Sequence, residues 1–373
     1  MTILKTGSSG PLVSFLQLTL MDLRLYSDEI DGLFGPNTLK AVKSFQTNNN
    51  LTSDGIVGEK SWQALLKYMS VPTTIPYTYD ILTLNFRSFM KKYNFLSFGT
   101  IGESVMDKTI PYIKIGNGPK QLLYLAGTHA NEWICCLLLM KFVEEYAIAY
   151  STGDKIFDRF AKDLYETATI YIIPMLNPDG IDLVTEVLNK NSTEYINAKN
   201  ISNNYPNIRF PDGWKANIAG IDLNLQFPAM WEQAKEIKFS QGYTTYAPRD
   251  FVGNFPLEAP EAVALYDFTT SHNFELMLTY HSQGEVIYWK FLDYNPPKAF
   301  EIGKTFEALS GYPLQDTPYD SSFAGFKDWF IQTYNRPGYT MEVGRGTNPL
   351  PISQFDTIYE DNIGVLVTAP FLT

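Results

Sequence analysis

The sequence predicts an α/β protein: a mixed sheet sandwiched between helices, preceded by a small unit of three helices. Three observations predict it. A short pattern repeats within the first 65 residues, a Pro/Thr-rich stretch follows it, and beyond that apolar runs of strand length alternate with longer amphipathic ones. The boundaries read as a first domain over 1–69, a linker over 70–78 and a second domain over 79–373.

The repeat is Asp31-Gly32-Leu33-Phe34-Gly35-Pro36, which returns 23 residues later as Asp54-Gly55-Ile56-Val57-Gly58-Glu59. In each copy an Asp-Gly turn leads through a second Gly into a helix, and Pro36 suits a first helical turn because its missing N–H is not needed there. Those helices present Leu39, Val42 and Phe45 in one copy and Trp62, Leu65 and Leu66 in the other. Leu12, Phe15, Leu16 and Leu20 give a third apolar face upstream, so the three helices can share one core. Ser70 to Tyr77, with Pro72 and Pro76, reads as an extended, semi-rigid connection.

In the second domain the strands are read at Gln121–Ala126, Thr169–Pro174, Phe274–Tyr280 and Gly338–Val343, with a helix over Glu132–Ala149. Functional groups in open α/β sheets gather at the carboxyl ends of strands. His129, His281 and Glu342 fall there.

Composition narrows the function. Hydrophobic residues at 45% and charged residues at 18% describe a globular chain, and a net charge of −11 argues against nucleic acid or an anionic membrane as partner. Residues 1–68 are neutral overall, so the second domain carries the imbalance. The apolar run Ile134 to Met140 is far too short for a membrane span. No signal peptide is seen at the N-terminus, so the expectation is a protein kept in the cytoplasm until release. The two cysteines, Cys135 and Cys136, are adjacent and offer no disulfide framework; they read as buried thiols.

Only three histidines occur. His129 and Glu132 follow one apolar run and His281 ends another, which makes two imidazoles and a carboxylate, a donor set suited to one catalytic zinc ion. His272, at a helix-to-strand junction, reads as structural.

Two resemblances rest on these residues. Residues 1–69, through Gly-Ser-Ser-Gly at 7–10, Leu16-Gln17, Phe45-Gln46 and the two Asp-Gly motifs, resemble the three-helix peptidoglycan-binding domain of bacterial wall hydrolases. His129-Ala130-Asn131-Glu132, Asn177-Pro178-Asp179-Gly180, Gly220-Ile221-Asp222-Leu223-Asn224, His281-Ser282-Gln283 and Thr340-Met341-Glu342-Val343-Gly344 occur in the order seen in the zinc carboxypeptidase family. Within it the chain looks most like the γ-D-glutamyl-diaminopimelate peptidases, which cut the stem peptide of peptidoglycan.

The resemblance implies a carboxypeptidase-like α/β/α domain with His129, Glu132 and His281 as zinc ligands and Glu342 as general base and acid. It implies Lys215 as the cation that stabilises the oxyanion, with Arg209 as the alternate, and Asn224 as a substrate contact. Tyr319 lies close to the family's mobile active-site tyrosine, one residue out of alignment. Lys327 matches the position that reads the leaving-group side, where a basic residue would favour diaminopimelate, with its second carboxylate, over lysine. One departure stands out: exopeptidases of the family place Arg after the Asn, to hold a terminal carboxylate, whereas this chain has Leu225. Either no free carboxylate is required there or another cation serves, and Arg345 is the candidate. The expected function is zinc-dependent hydrolysis of the γ-D-glutamyl to meso-diaminopimelate bond. The alternatives are a metallocarboxypeptidase acting on ordinary peptides and an inactive wall-binding protein.

Overall fold

The computed structural model describes residues 2–373 and divides into two compact units, Met1–Asn94 and Phe95–Thr373. In the first, helices α1 (Pro11–Asp22), α2 (Pro36–Asn48) and α3 (Glu59–Leu65) bury Phe15, Leu16, Leu20, Val42, Phe45, Trp62 and Leu65. Prolines open α1 and α2, as their fixed φ permits.

The repeat is structural as well as sequential. The Gln17 amide accepts from Gly32 N at 3.0 Å and donates to Asp31 Oδ1 at 2.7 Å; the Gln46 amide accepts from Gly55 N at 2.8 Å and donates to Asp54 Oδ1 at 2.8 Å. Each glutamine thus ties one helix to the turn that opens the next. Gly32 and Gly55 hold φ of 66° and 77°, and a Cβ on Gly55 would lie 2.2 Å from Leu39 Cδ1, so the turns require glycine. Segment 70–78 packs onto this unit, with Val71, Ile75 and Tyr77 buried. Thr78 then caps a further helix, α4 (Tyr79–Lys92), which also belongs to the unit.

The second unit is built on β1 (Ser97–Glu103), β2 (Thr109–Ile115), β3 (Lys120–Leu125), β6 (Ala168–Ile173), β7 (Phe274–Ser282), β8 (Val286–Tyr288), β9 (Leu314–Gln315) and β10 (Gly338–Val343); a separate ribbon pairs β4 (Lys155–Ile156) with β5 (Arg159–Phe160). The large sheet runs β1-β2-β6-β3-β7-β10-β8-β9. Its centre, β6-β3-β7-β10, is parallel, while β1, β2 and β8 join antiparallel, so the sheet is mixed. The central strands are almost wholly buried, as continuous apolar runs such as Leu122–Leu125 and Leu276–Leu278 require when helices cover both faces. The helix after His129 begins at Ile134 rather than Glu132, because Ala130–Glu132 form a tight 3₁₀ turn. Among the described residues, no helix is long and apolar enough to cross a membrane.

Candidate metal centre

Three parallel strands deliver the centre. β3 ends at Leu125 and the chain turns through Thr128 to His129 and Glu132; β7 carries His281; β10 carries Glu342. The side chain of Asn177 braces the first of these turns, accepting from Gly180 N at 3.0 Å and donating to Ala216 O at 3.0 Å and Thr128 O at 3.3 Å. Ala130 N donates to Lys215 O at 3.0 Å, so the His129 turn and the Lys215 segment are held together.

His129, Glu132 and His281 are buried, and their ligand atoms lie within 4.8 Å of one another. His129 Nδ1 is 3.1 Å from Glu132 Oε1 and 3.1 Å from His281 Nδ1, while His281 Nδ1 is 3.0 Å from Glu132 Oε2. On the far side of its ring, His129 Nε2 meets Asp222 Oδ1 at 3.2 Å. That contact fixes the tautomer whose Nδ1 lone pair points inward, the arrangement a metal-ligating histidine needs. Two imidazole nitrogens and a carboxylate aimed at one buried point fit a zinc ion, which would take a water or substrate as its fourth partner.

The charges around this point reinforce one another. Burial works against ionised Glu132, but His129 and Lys215 hold its carboxyl well below the usual range. Burial likewise pulls the His129 imidazole down, yet Glu132 and Asp222 raise it to about 9 among the protein groups alone. His281 is lowered, first by burial and then by His129 and Lys215, against the pull of Glu132. Lys215 Nζ sits 3.1 Å from Glu132 Oε1; burial is the largest single influence on it and pulls the ammonium down, but Glu132, Asp222 and Glu342 together raise it and keep it charged. Glu342 is pushed up to about 8, by burial first and then by Glu132, with Lys215 and His129 opposing.

A cleft of roughly 600 Å³ opens over these groups. Glu342, Lys215, Asn224, Lys327 and Arg209 line it together with His129. Asn224 Oδ1 accepts from Phe326 N at 3.3 Å. Lys327 is buried, its Nζ 2.5 Å from Asp328 Oδ1 and 2.8 Å from Lys290 O. Arg209 stands at the rim, its side chain 68% exposed. Two expected residues are not brought in. Tyr319 is 61% exposed and rests its ring against Phe323, although its neighbours Pro318 and Ser321 line the cleft. Arg345 is no lining residue: β10 ends at Val343, Gly344 turns the chain at φ 67°, and the exposed Arg345 side chain pairs with the half-buried Glu285 at 2.5 Å. His272 is remote from the centre, its Nδ1 2.7 Å from Phe268 O and its ring parallel to Phe274. Both cysteines are buried and unpaired by disulfide.

Sequence reasoning missed three supporting residues. Asp222 lay in a recognised motif, and its partnership with His129 could have been found there. Asn348, which donates to Ser282 O and lies 3.4 Å from Glu132 Oε1, and Arg249, in the cleft wall, carry no local signal.

A mixed α/β sheet with a buried His/Glu/His centre under an open cleft defines a metal-dependent hydrolase. The sequence model of the zinc carboxypeptidase family matches residues 86–364, and the chain belongs to that family. A putative peptidoglycan binding domain matches residues 9–65. The chain is 42% identical over 297 residues to gamma-D-glutamyl-L-diamino acid endopeptidase 1 of Lysinibacillus sphaericus, covering 79% of this chain and 72% of that one. It is 37% identical to the uncharacterized protein YqgT of Bacillus subtilis, covering 75% and 73%. The carboxypeptidase A of Helicoverpa armigera shares the fold at a TM-score of 0.59 and 19% identity, covering 82% of this chain and 75% of that one.

Proposed function

We propose that the protein is a zinc-dependent peptidoglycan hydrolase that cleaves the bond between γ-D-glutamate and meso-diaminopimelate in stem peptides. One observation carries this reading: a single chain joins a His/Glu/His cleft lined by cations to a domain matching the peptidoglycan-binding model. The printed activity of the Lysinibacillus relative, on a γ-D-glutamyl bond to a diamino acid, supports it.

His129, Glu132 and His281 would hold the zinc. When bound, zinc acts as a Lewis acid on the scissile carbonyl and lowers the pKa of water it holds to about 7. Glu342 takes the proton from the attacking water and passes it to the departing amine as the amide C–N bond breaks. Burial and Glu132 alone hold its carboxyl up at about 8, and a cation held by the three ligands would draw it back toward the ionised form that a base needs. Lys215, held beside Glu132, offers positive charge to the carbonyl oxygen as it becomes an oxyanion. Lys327 and Asp328 together present an ammonium and a carboxylate to the cleft, complementary to the carboxylate and ammonium at the distal centre of diaminopimelate. The net acidity of the chain supports the further expectation that nucleic acid is not a partner.

Mass spectrometry of the products of L-Ala-γ-D-Glu-meso-diaminopimelate, with and without chelation and beside Glu342→Gln, tests the reading. Release of L-Ala-D-Glu that disappears under both treatments is expected. No cleavage by zinc-loaded protein would overturn it.

A further inference from the structure

In a chain of net charge −11, positive charge is concentrated in the cleft, where Arg209, Lys215, Lys238, Arg249 and Lys327 all appear. Four of them already have a partner or a role in the reading above. Lys215 serves Glu132, Lys238 Nζ lies 2.7 Å from Asp250 Oδ1, Lys327 serves Asp328, and Arg209 stands largely in solvent. Arg249 differs. Its Nε meets Asp250 Oδ2 at 2.5 Å, and among the described residues neither of its terminal amino groups has a hydrogen-bond partner.

The segment that carries Arg249 is anchored on both sides. Lys215 N and Ala216 N donate to Pro248 O at 2.8 and 2.9 Å, while Asp250 N donates to Asp222 Oδ2 at 3.1 Å. Asp222 N in turn donates to Phe251 O at 2.9 Å, and Asp222 Oδ1 meets His129. The backbone at Arg249 is therefore tied to the element bearing Lys215 and to the carboxylate that orients a metal ligand. Asp250, itself shared with Lys238, holds the guanidinium by one nitrogen and leaves the fork open. In the same cleft, the turn Asp222 to Leu225 supplies an apolar side chain and no cation.

A planar guanidinium with two free amino groups is built for bidentate capture of a carboxylate. We propose that Arg249 is the residue that reads a substrate carboxylate flanking the scissile amide. This rests on the stem-peptide reading above. Such a peptide has two candidates: the α-carboxylate that γ-linked D-glutamate retains on the acyl side, and the α-carboxylate of diaminopimelate on the amine side.

The test compares the zinc-loaded wild type, Arg249→Met and Arg249→Lys on three peptides. These are L-Ala-γ-D-Glu-meso-diaminopimelate, the same peptide with the D-Glu α-carboxylate amidated, and the same with the diaminopimelate α-carboxylate amidated. The wild type is expected to lose about ten- to hundredfold in kcat/KM on one amidated peptide, mainly through KM. Arg249→Met should lose a similar factor on the parent and no longer distinguish it from that amide. Arg249→Lys should recover part of the preference, since it restores charge without the fork. The peptide that shows the effect identifies which carboxylate is read. Discrimination unchanged in Arg249→Met, or a wild type indifferent to both amides, would overturn the assignment. A wild type that cleaves none of the three overturns the stem-peptide reading, and this assignment with it. Asp250 keeps Lys238 in either variant, and equal zinc content and thermal midpoints separate loss of recognition from loss of fold.

Discussion

Glu342 stands directly opposite His281 in the parallel register of β10 against β7. Neighbouring parallel strands place paired residues side by side with their side chains on the same face, so this one register sets the Glu342 carboxyl beside a member of the His/Glu/His centre. Neither position depends on a loop. Rigid strands hold a reacting geometry better than loops do.

Replacing Glu342 with Gln should therefore remove chemistry without removing metal. Glu342 is not one of the three convergent donors, so zinc content should match the wild type. Loss of a general base and acid costs about 10²–10⁴ in rate. Steady-state cleavage of the stem peptide, beside metal analysis of the same sample, measures both; loss of zinc in the variant would count against the separation of roles.

Asp222→Asn should weaken zinc binding while leaving all three ligands in place. The carboxylate that fixes the His129 tautomer would become an amide, able to present an N–H to Nε2 and so favour the wrong tautomer. A fall in affinity of about 10–100-fold is expected, read by competition with a chelating dye. Unchanged affinity would show that His129 is oriented by the fold alone.

Much of this centre was legible because rare residues at strand ends are a strong signal. Three histidines in 373 residues, two of them after apolar runs, leave few ways to build a metal site. β10 was read at its observed bounds, Gly338–Val343, since Tyr339, Met341 and Val343 alternate with Thr340 and Glu342 at the period of a strand. The β1–β2 hairpin was not read: Ser97–Glu103 contains Gly99 and Gly102 and is half-exposed, so it lacks both alternation and an apolar run. Arg345 and Tyr319 do not line the cleft, for a related reason. Proximity in sequence to a motif says nothing about direction once the chain leaves the strand. Arg249 was illegible because its place in the cleft comes from long-range backbone bonds to Lys215 and Asp222.

Gln46→Leu should loosen the first unit. The leucine fills similar space but leaves Gly55 N and the turn at Asp54 without their partner. An unsatisfied buried donor costs about 1–3 kcal/mol. Faster hydrogen exchange confined to residues 2–94, with peptidase activity on soluble tripeptide unchanged, is the expected outcome; uniform exchange changes through residue 373 would refute it.

Stability should fall with rising pH through a buried carboxyl that the chemistry does not use. Glu261 is fully buried, accepting from Asn217 Nδ2 at 3.1 Å and from Val105 N at 3.2 Å. Burial lifts its carboxyl to about 7, more than the hydrogen bonds from its own backbone, Asn217 and Val105 draw it down. An unfolded glutamate titrates near 4.3, so between that value and about 7 the folded chain binds the extra proton. The folded state is then favoured at low pH and loses that advantage as pH rises through 7. The full span corresponds to about 3 kcal/mol, an order-of-magnitude figure. Glu261→Gln cannot titrate, so the difference in unfolding free energy between wild type and variant should move in the variant's favour by that amount from pH 4.5 to pH 8. Subtracting the two curves cancels every other titrating group, and a difference that stays flat across this range would show that Glu261 keeps its charge when buried.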